Sequence, residues 1–205
     1  MKSLLISIAG GTASGKTTVV NKIEEHFDKN DVTVLCMDNY YKRRDDLTLE
    51  ERVLINYDHP DSLDLELLKE DIKKLISGEE IECPIYNFAL HNRSSDTMKI
   101  KPTKVIILEG ILALYDDDIR NMSDILIFVE SEADIRFIRR LKRDIVCRGR
   151  SMDDVIRQYL TTVKPMYDSY VAPTKRYADL IIPNDTKHDM AISILSAKIK
   201  EILLK

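Results

Sequence analysis

Gly10-Gly11-Thr12-Ala13-Ser14-Gly15-Lys16-Thr17 satisfies the pattern G-x-x-x-x-G-K-[ST] and lies between an apolar run, Leu4–Ala9, and a helical pattern that starts near Lys16. Strand, loop and helix in that order make an anion nest. Successive backbone N–H groups turn inward, the glycines let the main chain approach phosphate without a Cβ in the way, and the helix N-terminus adds its positive end. In such a loop Lys16 reaches the β- and γ-phosphates, and the hydroxyl of Thr17, with Thr18 beside it, faces Mg²⁺. The expected ligand is a nucleoside triphosphate with its magnesium.

Working outward, residues 32–37 form a second apolar run opened by Asp31, and Asp38 stands at its carboxyl end, followed by Asn39, Tyr40 and Tyr41. Residues 105–108, 125–129 and 180–182 are three more such runs, ending in Glu109-Gly110, Glu130 and Pro183. Helical patterns separate them: Val19, Val20, Ile23 and Phe27 share one face, and a last pattern covers residues 187–204. Short, mostly non-alternating strands between amphipathic helices imply an α/β, three-layer fold with a five-stranded parallel sheet covered on both faces. Ligands of such sheets bind beyond the carboxyl ends of the strands, which puts Asp38 at the mouth of the site.

Three excursions decorate this frame. Thr48-Leu49-Glu50-Glu51 reads as a capped short helix, Tyr57-Asp58-His59-Pro60 breaks the chain, and Asp61 is placed to cap a helix over residues 62–76 that Gly78 ends. Residues 81–101 carry short β-like pieces around Cys83-Pro84-Ile85-Tyr86 and Thr97-Met98-Lys99-Ile100, a hairpin outside the main sheet. Six arginines then fall within residues 136–150. Arg136, Arg139, Arg140 and Arg143 share one helical face opposite Ile138, Leu141 and Ile145, and Arg148 and Arg150 follow before Ser151-Met152-Asp153-Asp154 opens a new helix. A charge run of this kind also suits a solvated helix face. Next to a triphosphate site, arginine's planar fork matches phosphate oxygens, and residues 140–152 read as an Arg-rich lid.

The composition narrows the partners. With 205 residues the chain suits one domain, and 31 basic against 35 acidic residues give a net charge of −4, which does not point to a nucleic acid as partner. Cys36, Cys83 and Cys147 are isolated, odd in number and without C-x-x-C spacing, as expected of free thiols in a reducing compartment. The apolar run after Lys2 is too short for the core of a leader peptide, and no run is long enough to span a bilayer. A cytoplasmic enzyme without a membrane partner is expected.

Phosphoryl transfer needs little from a protein beyond positioning and charge neutralisation, plus a group that activates the acceptor. Asp38 is the candidate base for an acceptor hydroxyl and also lies within reach of the Mg²⁺ shell; Glu109 is the candidate Walker B-like carboxylate. Either could instead be a carboxylate capping a loop at a strand end.

Several stretches, taken in order, resemble the uridine kinases (uridine/cytidine kinases) of the P-loop kinase superfamily over nearly the whole chain. They are the glycine loop, Met37-Asp38-Asn39-Tyr40-Tyr41, Tyr57-Asp58-His59-Pro60-Asp61, Pro84-Ile85-Tyr86-Asn87-Phe88, His91 with Arg93, and Glu109-Gly110-Ile111-Leu112. Further along are Arg143-Asp144 with Arg148-Gly149-Arg150, Gln158-Tyr159, Lys164-Pro165, Pro173-Thr174-Lys175 and Tyr177-Ala178-Asp179. The resemblance implies transfer of the γ-phosphoryl of ATP or GTP, with Mg²⁺, to the 5′-hydroxyl of uridine or cytidine, and a homo-oligomer, commonly a tetramer.

It also implies roles. Asp38 is the base; Thr17 and Glu109 lie near the metal; Asp58, Arg140 and Gln158 surround the ribose and nucleoside; Tyr86, Phe88 and His91 make the pyrimidine pocket, with Tyr41 nearby; and Arg143, Arg148 and Arg150 face phosphate from the lid. The residue types are chemically apt for such roles, since a carboxylate accepts from two vicinal hydroxyls, aromatic faces hold a flat base, and a neutral histidine hydrogen-bonds its edge. Tyr86 and Phe88 at period-two spacing also suit plain hairpin core. The Tyr40-Tyr41 pair and Tyr57 fall where relatives often carry a phenylalanine at one of the positions, which leaves the hydrogen bonding of the aromatic wall open.

Two other readings share parts of this pattern. Phosphoribulokinase and pantothenate kinase have the same loop and base, but require an acceptor site for phosphate or carboxylate in place of a flat base. A nucleotide-dependent switch would need a guanine signature such as N-K-x-D, and the one Asn-Lys pair, Asn21-Lys22, lies in the first helix.

Overall fold

Leu5, Ile6, Ile8 and Ala9 are all inaccessible to solvent, which only a strand covered on both faces allows. The computed structural model describes residues 3–28, 30–185 and 189–203. In chain order the first elements are β1 (Leu4–Ala9), α1 (Lys16–Glu24), β2 (Val32–Cys36), α2 (Leu49–Val53), α3 (Leu65–Ser77), β3 (Ile81–Asn87) and β4 (Asn92–Ile100). Then come β5 (Val105–Glu109), α4 (Asp117–Met122), β6 (Ile125–Glu130), α5 (Ala133–Arg148), α6 (Met152–Gln158), α7 (Lys164–Met166), β7 (Leu180–Pro183) and α8 (Asp189–Leu203).

The main sheet has five parallel strands in the order β2-β5-β1-β6-β7, as expected. Because successive side chains point to opposite faces, Leu5, Leu35, Ile106, Leu108 and Phe128 pack against Leu68, Ile72 and Leu75 of α3. Ile6, Ile8, Ile107, Ile127 and Val129 pack on the other face against Val19, Val20 and Ile23 of α1 and Ile192, Leu195 and Ile199 of α8. The start expected for the last helix, residues 187 and 188, lies outside the described residues, as does its end at residue 204.

β3 and β4 form the separate antiparallel hairpin. Thr48 and Glu51 close the expected capping box of α2, and Gly78, at φ 90°, ends α3. The start of α3 differs from expectation. Asp64, not Asp61, caps it by accepting from the Leu67 N–H at 3.3 Å, while Pro60–Ser62 form a separate 3₁₀ turn. Leu63 is held extended by an antiparallel bridge to Tyr41, with Lys42 N donating to Ser62 O and Asp64 N to Tyr40 O, each at 2.8 Å. No helix can pass through that bridge.

Residue 37 departs too: Met37–Tyr40 is a 3₁₀ turn, not strand, and it carries Asp38 past the end of β2. The polarity of α5 is the larger surprise. Arg136, Arg140 and Asp144 are buried while Ile138 is 47% and Val146 80% exposed. The charged face therefore turns into the protein, and the chain beyond α6 explains what it meets. There, π turns at Tyr159–Val163 and Tyr167–Val171 flank α7 and wrap this face; such turns often mark functional segments.

Candidate active site

Everything with chemistry gathers at the carboxyl ends of β1, β2 and β5. Register pairs Ile8 and Cys36 with Glu109, so the glycine loop, the Asp38 turn and Glu109 leave the sheet side by side. Gly15 caps α1 at φ 89°, and a Cβ there would overlap the amide of Asn184, which donates to Ser14 O at 2.6 Å. The loop is thus clamped from β7 by a residue that no local signal in the sequence marks. Lys16 Nζ folds over the loop and donates to Gly10 O at 3.0 Å and Gly11 O at 3.2 Å, which leaves one of its three N–H donors for a ligand. Burial lowers the Lys16 pKa, with Glu109 and then Asp38 opposing that fall.

A cavity of about 470 Å³ opens over this loop. Thr12, Ala13, Gly15, Lys16, Thr17 and Thr18 line it together with Asp38, Glu109 and Arg143. Gly110, Ile111 and Arg139 also line it, a placement that spacing and residue type did not predict. Gly10, Gly11 and Ser14 form the loop behind this lining. The Thr17 hydroxyl donates to both oxygens of Glu109, at 3.2 and 3.1 Å. Burial raises the Glu109 pKa, against Lys16 and the Thr17 hydrogen bond.

Asp38 lines this cavity and also a second one of about 170 Å³. Burial raises its pKa, while Lys16, Arg148, Arg143 and a hydrogen bond from Tyr41 pull the other way. A half-buried carboxylate of raised proton affinity, facing cationic groups, is the environment a general base needs.

The second cavity brings together Tyr41, Asp58, Tyr86, Phe88, His91, Arg140 and Gln158, and adds Tyr57. The rings make an edge-to-face wall: Tyr41 lies 5.1 Å from Tyr57 and 5.0 Å from Tyr86, and Tyr86 lies 5.1 Å from Phe88. Tyr86 is also core, packed beneath the hairpin, whereas Phe88 is 53% exposed and has no such role. His91 adopts a left-handed backbone, φ 46°, and its carbonyl accepts from the Tyr57 hydroxyl at 3.1 Å. Burial lowers the His91 pKa, and Arg150, Arg52 and Arg148 push the same way, so the ring is neutral at pH 7. Burial raises the Asp58 pKa against the pull of Arg140.

The open question of the tyrosines resolves residue by residue. Tyr40 turns away from the site and donates to buried Asp71 at 2.9 Å. Tyr57 donates to Arg52 O and His91 O, and the buried Tyr86 hydroxyl has no hydrogen-bond partner among the described residues.

The arginines divide unevenly. Of the six, only Arg139 and Arg143 reach the cavity over the glycine loop, while Arg140, Arg143, Arg148 and Arg150 line the second one. Arg136 serves the scaffold: it stacks 3.9 Å from the Tyr167 ring and donates to Ser131 O at 3.1 Å. Gln158 Oε1 accepts from Arg140 at 2.9 Å and Arg150 at 2.6 Å, which leaves its amide nitrogen to donate elsewhere.

A model of the phosphoribulokinase/uridine kinase family matches residues 5–191. The chain belongs to this family. It is 49% identical over 202 residues to the uridine kinase of Geobacillus kaustophilus (strain HTA426), a match covering 98% of this chain and 96% of that one. Against the uridine kinase of Clostridium tetani (strain Massachusetts / E88) it is 48% identical over 204 residues, covering 100% and 98%. Its fold is similar to that of phosphoribulokinase from Rhodobacter spheroides, with a TM-score of 0.66 at 16% identity over 89% of this chain and 70% of that one. Asp38 lines both cavities, the one over the glycine loop and the aromatic one beside it.

Proposed function

We propose that the protein is a uridine kinase that transfers the γ-phosphoryl of ATP or GTP to the 5′-hydroxyl of uridine or cytidine, giving UMP or CMP in pyrimidine salvage. The observation that carries this is the position of Asp38, shared by the phosphate cavity and an aromatic cavity suited to a sugar with a flat base. Phosphoribulokinase and pantothenate kinase need an acceptor end that grips an anion; the four arginines of this cavity already converge on the Asp144 carboxylate, and the five rings beside them, Tyr41, Tyr57, Tyr86, Phe88 and His91, suit a flat base.

In this scheme Asp38 accepts the proton of the 5′-hydroxyl as that oxygen bonds to the γ-phosphorus, and the bond from phosphorus to the bridging oxygen breaks to release the nucleoside diphosphate. Lys16, Arg143 and Arg148 neutralise the charge spread over the transferring group. Asp58 accepts from the ribose hydroxyls, Arg140 and Gln158 hold the nucleoside, and His91 takes the pyrimidine edge between Tyr86 and Phe88. Thr17, Glu109 and Asp38 offer the hard oxygen ligands magnesium prefers, and they fit it. The ion, when bound, neutralises phosphate oxygens and orients them.

Residues 1–205 act as one kinase domain, with residues 81–101 supplying the pocket wall and 140–152 a lid that excludes water, turning at Gly149 in its left-handed conformation, φ 63°. The chain's isolated cysteines suit a reducing, cytoplasmic setting, and no helix among the described residues is long and apolar enough to cross a membrane. The exposed apolar side chains of Ile138, Val146 and Leu160 suit assembly into a homo-oligomer, a tetramer by family resemblance. The test is release of nucleoside diphosphate across a panel of nucleosides with ATP and with GTP. Stimulation by uridine or cytidine is expected; turnover indifferent to every nucleoside would favour a nucleotide-dependent switch instead.

A further inference from the structure

Asp144 is wholly inaccessible to solvent, and four guanidiniums converge on it. Arg143 Nε donates to Oδ1 at 2.9 Å, and Arg148 lies 3.4 Å from the same oxygen. Arg140 and Arg150 lie 3.6 and 3.7 Å from Oδ2. Neither Oδ2 nor Arg140 Nε makes a hydrogen bond among the described residues, so this side of the cluster is held by charge. The four arginines leave the hub in different directions. Arg143 lines both cavities, Arg148 flanks Asp38, and Arg140 and Arg150 meet on the Gln158 carbonyl.

One carboxylate cannot balance four cations, and a buried anion of this kind rarely repays its desolvation through stability alone. It does fix where its partners point. We propose that Asp144 is a positioning residue that holds Arg140, Arg143, Arg148 and Arg150 in one array spanning the donor and acceptor cavities. Without it the guanidiniums repel one another and turn to solvent, and the phosphoryl group in flight loses its aligned counter-charges. The array therefore acts as a unit, an inference that rests on the kinase reading above.

The experiment is a pair of double-mutant cycles on uridine-dependent phosphorylation with MgATP, with the fold of each variant checked by thermal melting. Asp144→Asn is expected to lower kcat about 10- to 100-fold, of the order a misplacement of about 1 Å costs, with a smaller change in the KM for ATP. Combined with Arg148→Gln, it should cost little beyond the larger single loss, because Asp144 acts through the arginine. Loss of folded protein alone would instead multiply the two effects. Should Asp144→Asn fail to fold, the cycle of Arg143→Gln with Arg150→Gln decides, since these part-exposed arginines line one cavity but share no side-chain partner other than Asp144 among the described residues. A departure from simple multiplication by threefold or more supports the hub. Overturning results are an Asp144→Asn enzyme within twofold of wild type, multiplicative losses in the first cycle, or independence within twofold in the second. If no nucleoside stimulates the wild-type enzyme, the kinase reading fails, and the same two cycles are read on affinity for a fluorescent ATP analogue, where the same thresholds decide the hub.

Discussion

The donor and acceptor cavities are built by opposite means. The phosphate cradle is mostly main chain, eight consecutive residues whose shape is set by glycine and by the clamp of Asn184 on Ser14. The acceptor cavity is mostly side chains, gathered from the Asp38 turn, the Tyr57-Asp58 loop, the hairpin, α5 and α6. A main-chain site tolerates almost no change in backbone geometry but is indifferent to most side chains. A side-chain site distributes its risk, and its specificity can change one contact at a time.

Asp38 belongs to both, and its substitution should have the largest effect. Asp38→Asn keeps the shape and hydrogen-bonding reach but cannot accept the hydroxyl proton, so kcat should fall about 10²–10⁴-fold. Nucleotide binding, measured by fluorescence of a bound analogue, should stay within a few-fold of wild type. Near-normal turnover would remove the base from the scheme and separate the two cavities chemically.

Gly15→Ala breaks the donor side without altering any charge. The new methyl would meet the Asn184 amide in a backbone conformation, φ 89°, that disfavours a Cβ. Shifting the loop by about 1 Å to relieve this should cost about 10²-fold in kcat/KM for ATP, with the KM for the nucleoside nearly unchanged. Equal losses for both substrates would mean that the cradle and the acceptor cavity deform together.

On the acceptor side, Phe88→Ala should raise the nucleoside KM about tenfold, within the 1–3 kcal/mol that stacking of a base supplies. Since Phe88 is 53% exposed and outside the core, the melting temperature should hardly move. A drop of several degrees without a change in KM would reassign Phe88 to the fold of the hairpin.

The same contrast explains how much was legible in the sequence. The sheet, its two covered faces, the hairpin and the glycine loop follow from local patterns: apolar runs, spacing and turn residues. Asp38 and Glu109 could be placed by fold rule alone, because strand ends are local features. The acceptor residues lie in five separate segments with no common spacing, and only resemblance to a family joined them. Asn184 stayed invisible since its partner Ser14 is 170 residues away. The start of α3 was misplaced because the bridge of Leu63 to Tyr41, a tertiary contact, overrides a reasonable capping signal at Asp61. In α5 the periodicity was correct, yet periodicity cannot say which face is buried; the arginines point inward because the cavities are there.

The smallest expected effect concerns the pH dependence of the acceptor site alone. Burial and then Arg150, Arg52 and Arg148 depress the His91 pKa below its usual 6.5, so the ring stays neutral at that pH and gains a proton only as pH falls further. A protonated ring has two donors and no acceptor, and it would add a cation beside three arginines. The uridine KM should therefore be flat from about pH 8 down to 6.5 and rise a few-fold below it, whereas in His91→Gln it should stay flat throughout. Any effect of Asp38 on kcat is common to both enzymes, so the difference in KM between them isolates the histidine. If the wild-type KM begins to climb above pH 6.5, the ring titrates as an exposed imidazole would, and the enclosure of the pyrimidine end by the hairpin and the arginine array is looser than its geometry indicates.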